Sequence, residues 1–359
     1  MGRQRGGAMT PLLEVEDVQI TYRPRRGLVS RLVRALWSDT TEPVPAVRDA
    51  SFTINPGETV ALVGESGSGK TTLARSIAGL IPPQRGKLRF DGADITRPVH
   101  RRSPELLRHI QYVFQNPASS LNPRRKVRYN LGRTLDVFFD LSKAERRDRM
   151  AELLASVHLD PGYIDRYPPQ LSGGEAQRVA IAQALAAEPK LILCDEILSA
   201  LDVSVQDNIL ELLRELQAST DVAYLFIAHD LAVVRWLADR VVVLYHGRIV
   251  EQGTVEEIFT PPHHPYTALL LDSIPGKGEH EVSALAEDAS TVGTAPDAGC
   301  AFEPRCHHRI AGVCEVDDPP RLHDSETHDV LCHLSAAQRA PLQIRTATAA
   351  AAATSAEET

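Results

Sequence analysis

A glycine-rich segment carries residue types that suit the binding of a triphosphate. Residues 64–71 read GESGSGKT, fit the pattern GxxxxGK[ST] and are followed by a second threonine. In such a segment the glycines let backbone N–H groups curl around phosphate oxygens at the start of a helix, the lysine reaches the β- and γ-phosphates, and the hydroxyl binds Mg²⁺. An apolar strand precedes the segment and a helical pattern follows it, as the motif requires. The sequence predicts nucleotide contacts from Gly64, Glu65, Ser66, Gly67, Ser68, Gly69, Lys70, Thr71 and Thr72.

A second apolar stretch ends in two carboxylates. In KLILCDE the strand residues are followed by Asp195 and Glu196, at the end of a strand where ligands of open α/β sheets bind. Asp195 is predicted to hold Mg²⁺ directly or through water, and Glu196 to polarise the attacking water. Because phosphoryl transfer depends on positioning and charge neutralisation more than on covalent chemistry, a lysine, these carboxylates and a metal suffice for it.

The segment LSGGEAQRVAIAQAL, residues 171–185, predicts a second anion site. Ser172 offers a hydroxyl, and Gly173 and Gly174 offer unobstructed backbone N–H groups at the start of a helix. This segment resembles the signature motif of ATP-binding-cassette (ABC) ATPases, in which two domains enclose two ATP molecules and each signature contacts the nucleotide on the opposite P-loop. The resemblance implies that Ser172, Gly173, Gly174 and Glu175 contact the ATP of a partner.

Further motifs of this family follow in the order it requires. Gln115 in VFQNP resembles the Q-loop glutamine, Asp202 in SALD resembles the D-loop that crosses the dimer interface, and His229 in FIAHD resembles the switch histidine that contacts the γ-phosphate. Tyr22 resembles the aromatic residue that stacks on adenine. The resemblance thus implies that Glu196, His229 and Lys70 act in catalysis and that Thr71, Gln115 and Asp195 bind Mg²⁺.

Two positions depart from the family pattern. The D-loop approach reads EILSALD, where a proline and a threonine commonly follow the glutamate, and Gln183 stands where an arginine is usual. Neither change removes a reacting group, so the resemblance still implies a domain that can complete a hydrolysing site.

The elements that must position these residues follow an α/β pattern. Residues 13–22 alternate and predict a strand, and residues 142–159 predict a helix that begins at Ser142 and ends before Pro161. Later apolar strands separated by amphipathic helices predict a parallel sheet covered on both faces. Together with the resemblance, this implies a P-loop NTPase fold: a mostly parallel sheet with flanking helices, an antiparallel β subdomain, a helical subdomain and a small Cys-containing C-terminal extension.

Composition shifts mark the expected boundaries along the chain. We expect an ABC ATPase domain at residues 12–275 with its helical subdomain at about 116–185, a polar linker at 276–298, a Cys-rich extension at 299–335 and a disordered, low-complexity tail at 336–359. An arginine-rich amphipathic insert at residues 23–40 has two open interpretations. It packs on the protein's own surface, or it contacts a membrane surface or a partner.

Two segments near the C-terminus narrow the resemblance. PPHHPYTALLLDSIP at residues 261–275 is similar to the segment that closes the ATPase domain in the oligopeptide and dipeptide importer class, which includes nickel and glutathione importers. In that class a C-terminal extension often carries the pattern GCxFxPRC followed by two further cysteines. Cys300, Cys306, Cys314 and Cys332 match it, with five, seven and seventeen residues between them.

The four cysteines leave three interpretations open. Four thiolates can close a [4Fe-4S] cluster, which some members of the class hold in this extension, or a Zn²⁺ site; the third interpretation is free thiols. His307 and His308 directly follow Cys306, which is poor spacing for joining the same tetrahedron. Nothing in the sequence places this segment within reach of ATP, so we expect a structural or regulatory role for it.

The resemblance implies a subunit that binds and hydrolyses ATP with Mg²⁺ to power an importer of di- or oligopeptides. Nickel, glutathione or opine import is the alternative use of the same ATPase. The insert after Tyr22 is similar to that of the second ATPase subunit in such importers, which implies a heterodimer with a related ATPase, and a homodimer as the alternative. Two transmembrane permease subunits and an extracytoplasmic substrate-binding protein complete the expected assembly.

Composition and length exclude several other classes. The net charge of −8 does not suggest a protein that binds nucleic acid, since such proteins usually carry a basic face. The sequence contains no secretory signal, and it contains no apolar stretch near the ~20 residues that a membrane span needs. We therefore expect the chain to stay in the cytoplasm, and the resemblance implies a peripheral subunit at the cytoplasmic face of the membrane. Only 102 positions separate Lys70 from Ser172, too few for the long coiled coil of cassette proteins in DNA repair. Ribosome-acting cassette proteins carry two cassettes in one chain, whereas this chain has one.

Overall fold

In the part of the chain that the structure describes, twelve strands form two β-sheets, one of them mostly parallel. The computed structural model describes residues 10–21, 45–272 and 298–341. Tyr22, the arginine-rich insert, residues 276–297 of the predicted linker and the chain after residue 341 lie outside them. The strands are β1 Leu13–Thr21, β2 Pro45–Ile54, β3 Thr59–Val63, β4 Arg85–Phe90, β5 Ala93–Asp94, β6 Ile110–Val113, β7 Leu191–Asp195, β8 Ala223–Ile227, β9 Arg240–Tyr245, β10 Arg248–Thr254, β11 Arg321–His323 and β12 Asp329–Leu331.

Helices connect the strands, and the chain segment that runs from the end of β6 to the start of β7 is mainly helical. Within the described part of the chain, none of them is long and apolar enough to cross a membrane. The α-helices are α1 Lys70–Ile77, α2 Pro104–His109, α3 Pro117–Ser120, α4 Val127–Phe138, α5 Lys143–Ser156, α6 Gly173–Leu185, α7 Val203–Thr220, α8 Leu231–Leu237, α9 Val255–Phe259 and α10 Pro265–Asp272.

The larger sheet has the strand order β11-β12-β10-β9-β3-β8-β7-β6. The five strands from β9 to β6 are parallel, and β10 to β12 continue the sheet in antiparallel pairing. Side chains of β3 alternate between two apolar clusters: Ala61 and Val63 pack into one, and Val60 and Leu62 into the other. The predicted parallel sheet, covered on both faces, is confirmed.

The smaller sheet is antiparallel, with the order β2-β1-β4-β5. In β1 the buried side chains shift from Leu13 and Val15 to Val18 and Ile20, and the register with β2 shifts between Val15 and Val18. Asp17 lies in this interval with φ of 47°, so one irregular residue keeps both halves of the strand facing the core.

Helix α5 begins at the residue that the sequence predicts. Ser142 caps α5, its hydroxyl accepts a hydrogen bond from the Glu145 N–H, and the Glu145 carboxylate accepts one from the Ser142 N–H. The helix ends at Ser156, three residues before the predicted Leu159, because the chain turns at His158, whose φ is +58°.

The Cys-rich extension is joined to the main sheet and does not form a separate unit. Strand β12 pairs with β10, and β11 pairs with β12. Ordered structure also continues past the predicted boundary at residue 335: residues 336–341 are helical, and the fully buried Arg339 forms an ion pair with Asp324. The assignment of residues 336–341 to a disordered tail is therefore wrong.

A buried ion pair fixes this junction. Glu251 on β10 is fully buried, and its carboxylate lies 2.8 Å from the Nε2 atom of His328. The second carboxylate oxygen accepts a hydrogen bond of 3.1 Å from the backbone N–H of His264. Burial alone would lower the pKa of His328, but the hydrogen bond to Glu251 and the charges of Glu251, Asp324 and Glu257 raise it above its usual value.

Because the pKa of His328 is raised by folding, its stabilising contribution is complete below the unfolded pKa of about 6.5 and is lost as the pH rises through the folded pKa. We expect His328→Ala to lower the free energy of unfolding by about 3 kcal/mol at pH 6, and by less at pH 8.5. Denaturant unfolding at both pH values measures this. His323→Ala is the control, since that histidine pairs with Asp329 at the surface; an equal loss in both variants would contradict the prediction.

Candidate functional site

The glycine-rich loop connects β3 to α1 and is shaped by close backbone packing. Gly64 has φ of 144° and Gly69 has φ of 109°, which disfavour a side chain. A Cβ atom at Gly64 would lie 2.1 Å from the carbonyl oxygen of Leu244, and one at Gly69 would lie 2.4 Å from that of Ala46. Glycine is therefore required at both positions, because backbone carbonyl oxygens of β9 and β2 lie where a Cβ atom would be.

Lys70 is buried inside this loop. Its Nζ atom donates hydrogen bonds to the carbonyl oxygens of Gly64 at 2.7 Å and Glu65 at 2.8 Å. Burial lowers the pKa of Lys70, and the charges of Glu196, Asp195 and Glu65 partly offset that effect. The ammonium group thus lies among carbonyls and carboxylates, where a phosphate oxygen would be a strong competing acceptor.

The other predicted loop residues differ in accessibility. Ser66 and Gly67 are exposed, whereas Ser68 and Thr72 are buried. The backbone N–H of Glu65 donates a hydrogen bond of 2.8 Å to the hydroxyl of Tyr266 in α10. The centre of the loop is therefore accessible, and the start of the loop is held by a hydrogen bond to α10.

Thr71 and Asp195, two of the predicted Mg²⁺ ligands, lie together. The Thr71 hydroxyl donates a hydrogen bond of 2.8 Å to Oδ1 of Asp195. A hydroxyl and a carboxylate beside an open phosphate loop are oxygen donors of the kind that Mg²⁺ uses with nucleotides, so these residues fit the ion. Gln115, the third predicted ligand, instead donates from Nε2 to Glu196 at 2.9 Å and to Ser199 at 3.3 Å.

Glu196 and His229 line one small cavity together with Ser199 and Asp230. Glu196 has φ of 49°, a conformation that few non-glycine residues adopt and that often marks functional sites. Its backbone N–H donates to the carbonyl of Ile227 at 3.1 Å, and its side chain is half-buried. The two residues predicted to act on the γ-phosphate and the attacking water are therefore brought together.

Tyr112 is a site residue that sequence reasoning missed. Its hydroxyl donates a hydrogen bond of 2.6 Å to Oδ2 of Asp195, so both carboxylate oxygens of Asp195 are occupied, one by Thr71 and one by Tyr112. Burial and the hydrogen bond to Asp195 raise the pKa of Tyr112, which keeps its hydroxyl protonated as a donor. Only the pairing of β6 with β7 reveals this contact, because Tyr112 lies beside Leu193 in the register.

The predicted signature segment forms the start of α6. The Ser172 hydroxyl accepts from the Glu175 N–H at 3.3 Å, and the Glu175 carboxylate accepts from the Ser172 N–H at 2.7 Å and from the Tyr163 hydroxyl. The Tyr163 hydrogen bond, followed by that of the Ser172 backbone, lowers the pKa of Glu175. A Cβ atom at Gly174 would lie 2.6 Å from Cγ1 of Val205, so this glycine allows α7 to approach.

The surfaces predicted to meet a partner are accessible. Ser172, Gly173 and Asp202 are exposed, and Asp202 lies directly before α7. An anion bound by another molecule could therefore reach the helix start at Ser172.

The Cys-rich extension reaches the glycine-rich loop, contrary to what the sequence suggests. Arg305 donates from its two terminal nitrogens to the Glu65 carboxylate at 2.9 Å and 3.0 Å. The contact joins residues 240 positions apart and depends on the sheet pairing of the extension, so no local sequence signal predicts it.

The cysteines of the extension interact with one another electrostatically. Burial raises the pKa of Cys300 and that of Cys306 to about 11, and neighbouring cysteines add to both shifts. The backbone N–H of Cys300 also donates to the carbonyl of Cys314 at 2.8 Å. Four thiols are a suitable donor set for a metal centre, but no group of three or more His, Cys, Asp or Glu in the described ranges is arranged to hold a metal ion.

Comparison with protein families matches two regions of the chain. Residues 47–199 match the model described as ABC transporter, and residues 250–314 match the oligopeptide/dipeptide transporter C-terminal region. The chain is 42% identical over 309 residues to a probable peptide ABC transporter ATP-binding protein of Sinorhizobium fredii, covering 85% of this chain and 87% of that protein. It is 38% identical over 340 residues to the dipeptide transport ATP-binding protein DppF of Escherichia coli K12, covering 92% and 97%.

Solved structures show the same similarity. A dimeric ATP-binding cassette in a post-hydrolysis state with ADP and phosphate aligns with a TM-score of 0.57 at 29% identity, covering 68% of this chain and 98% of that one. CbiO1 of Clostridium perfringens, part of an ABC transporter complex, aligns with a TM-score of 0.57 at 28% identity, covering 69% and 90%.

Removing the Tyr112 hydroxyl tests whether it positions Asp195. We expect Tyr112→Phe to raise the Mg²⁺ concentration for half-maximal ATP hydrolysis about fivefold, the effect of losing one hydrogen bond of about 1 kcal/mol. Tyr224→Phe is the matched control, because its buried hydroxyl donates to the carbonyl of Leu213 and not to Asp195. The same shift in both variants, or none in Tyr112→Phe, would contradict the role.

Proposed function

The chain belongs to the ABC transporter family of ATP-binding subunits, and from that premise we propose that it hydrolyses ATP to power the import of di- or oligopeptides across the cytoplasmic membrane. The observation that carries the peptide proposal is the second family match at residues 250–314, since that region is described as the C-terminal region of oligopeptide and dipeptide transporters. Relatives named for peptide and dipeptide transport, which match over most of their length, support it.

The proposed roles at the ATP site follow from the contacts of each residue. Lys70 and the loop from Gly64 to Thr72 bind the phosphates, and Thr71 and Asp195 hold Mg²⁺. When bound, Mg²⁺ neutralises charge on the β- and γ-phosphate oxygens. Glu196 accepts a proton from the attacking water. Gln115 orients Glu196 through its 2.9 Å hydrogen bond.

His229 contacts the γ-phosphate from the cavity that it shares with Glu196. The adenine contact assigned to Tyr22 stays a proposal on a residue outside the described ranges. These roles use the chain's own groups to bind, orient and deprotonate, as expected for phosphoryl transfer.

The exposed helix start at Ser172 supports the proposed assembly. Ser172, Gly173, Gly174 and Glu175 contact the ATP bound by a second ATPase subunit, and Asp202 lies at the interface between the two. That partner is a related but distinct chain, so the pair is a heterodimer. Two transmembrane permease subunits hold this chain at the cytoplasmic face of the membrane, and an extracytoplasmic substrate-binding protein delivers the peptide.

For Cys300, Cys306, Cys314 and Cys332 the proposal is a [4Fe-4S] cluster, with Zn²⁺ as the alternative. The match of their spacing to the pattern of the importer class supports it, while the lack of a metal-ligating arrangement among the described residues stands against it. No step of ATP hydrolysis is assigned to such a centre. The visible spectrum and the iron and zinc content of anaerobically purified protein decide the matter, and a colourless, metal-free preparation would contradict both.

Glu196→Gln tests the proposed hydrolytic role. The amide cannot accept the proton of the attacking water, so we expect ATP binding to remain and turnover in the assembled complex to fall by about 10²- to 10⁴-fold. Glu211→Gln makes the same chemical change at an exposed position of α7 and serves as the control. Unchanged turnover of the Glu196 variant would rule out its role.

The transported substrate is tested with the complex reconstituted in lipid vesicles. We expect uptake of labelled dipeptides and oligopeptides that requires ATP and is lost with Glu196→Gln, because transport and hydrolysis are coupled. Labelled Ni²⁺, glutathione and opines are measured in parallel. A complex that moved one of these and no peptide would contradict peptide import while leaving the ATPase role intact.

A further inference from the structure

We propose that Arg305 in the Cys-rich extension is a positioning residue for ATP binding: it holds the Glu65 carboxylate and neutralises it, so that Glu65 does not compete with the triphosphate for Lys70. This inference rests on the proposed function of the loop as the ATP site. It assigns a role in nucleotide binding to a segment that the sequence places far from the nucleotide.

The contact has the geometry of a strong charge-assisted pair. Two guanidinium nitrogens of Arg305 lie 2.9 Å and 3.0 Å from the two different carboxylate oxygens of Glu65. This parallel arrangement fixes the direction of the carboxylate as well as its charge, which a single lysine contact cannot do. The side chain of Arg305 is 24% exposed and that of Glu65 is 40% exposed, so solvent screens the pair in part.

Arg305 is itself held by packing. It ends the short 3₁₀ helix Glu303–Arg305, which follows Phe302, a buried residue of an aromatic cluster. The Phe302 ring lies 5.3 Å from Tyr245 and 5.5 Å from Tyr266 between ring centroids. The guanidinium of Arg305 also lies 5.9 Å from the centroid of Tyr245. The extension therefore presents the guanidinium from a fixed base.

Glu65 connects this contact to the phosphate-binding lysine. Its backbone carbonyl accepts a hydrogen bond of 2.8 Å from Nζ of Lys70, so the carboxylate of Glu65 projects from the same turn of the loop that holds the ammonium group. Without a partner, this carboxylate would attract the ammonium group that the phosphates need, and it would repel the triphosphate. Pairing with Arg305 offsets that negative charge.

The alternative is a purely structural pair that only docks the extension. The two roles differ in one respect: charge competition disappears when Glu65 is made neutral, whereas a docking contact is lost whichever partner is changed. The double variant Arg305→Ala with Glu65→Gln therefore separates them. If neutralisation is the role, the second substitution restores much of the ATP affinity that the first removes.

The experiment measures the Kd of Mg²⁺–ATP for the full-length chain by titration calorimetry. We expect Arg305→Ala to raise the Kd about tenfold at low salt and by less at 0.5 M KCl, because salt screens the freed carboxylate. Glu65→Gln alone should weaken binding less than Arg305→Ala does, and the double variant should bind ATP more tightly than Arg305→Ala. Arg305→Lys, which keeps the charge, should recover part of the loss.

Arg309→Ala is the control, since Arg309 lies in the same extension and pairs with Glu303 at 2.8 Å away from the loop. Thermal unfolding of every variant verifies folding. If Arg305→Ala does not fold, the two single variants Arg305→Lys and Glu65→Gln still test the proposal. An unchanged Kd in Arg305→Ala, or a double variant as weak as Arg305→Ala, would overturn the role of Arg305 alone. A wild-type chain that bound no ATP would overturn the proposed function and this role with it.

Discussion

The buried ammonium group of Lys70 is the charge around which the site is arranged. A desolvated cation is costly unless hydrogen bonds and opposite charges surround it. The loop supplies the carbonyls of Gly64 and Glu65, and the sheet order supplies Asp195 and Glu196, because β7 lies two strands from β3 with only β8 between them. A parallel sheet brings the ends of these strands to one edge. The negative groups that stabilise the lysine are also those suited to a metal and to a water nucleophile.

The same charge balance explains why the C-terminal part of the chain matters to the site. Glu65 contributes a stabilising carbonyl to Lys70 together with a carboxylate, and Arg305 compensates that carboxylate. Arg305 is held by the packing of Phe302 against Tyr245 and Tyr266. Farther along the extension, β12 pairs with β10 beside the buried Glu251–His328 pair.

Sequence reasoning identified the parts of the site whose chemistry is local. Gly64, Gly69 and Lys70 belong to one loop whose backbone conformation fixes the residue types, and Asp195 follows directly from the apolar strand before it. The capped start of α5 at Ser142 was predictable for the same reason, since the capping box spans four residues. The core of the sheet was predictable because strands and helices alternate along the chain.

Tyr112 and Arg305 could not be found in this way. Their partners lie 83 and 240 positions away, and each contact exists only because of the strand order, which a pattern of apolar residues does not specify. The cysteine pattern indicated a class of importer through family resemblance. The spacing of the four cysteines alone did not distinguish an iron–sulfur cluster, a zinc site and free thiols.

The segment at Ser172 shows why one chain does not complete the proposed reaction site. The capping box satisfies the Ser172 and Glu175 N–H groups within the chain, while the helix start stays exposed and has a positive electrostatic potential. Because Lys70 and its loop are proposed to bind the phosphates of one nucleotide, an exposed second anion site would serve a nucleotide bound elsewhere. A second cassette facing this one would supply that nucleotide and would offer its own signature to the ATP at Lys70. In such an arrangement ATP hydrolysis would require the association of two subunits, and a transporter could use that association as its driving conformational change.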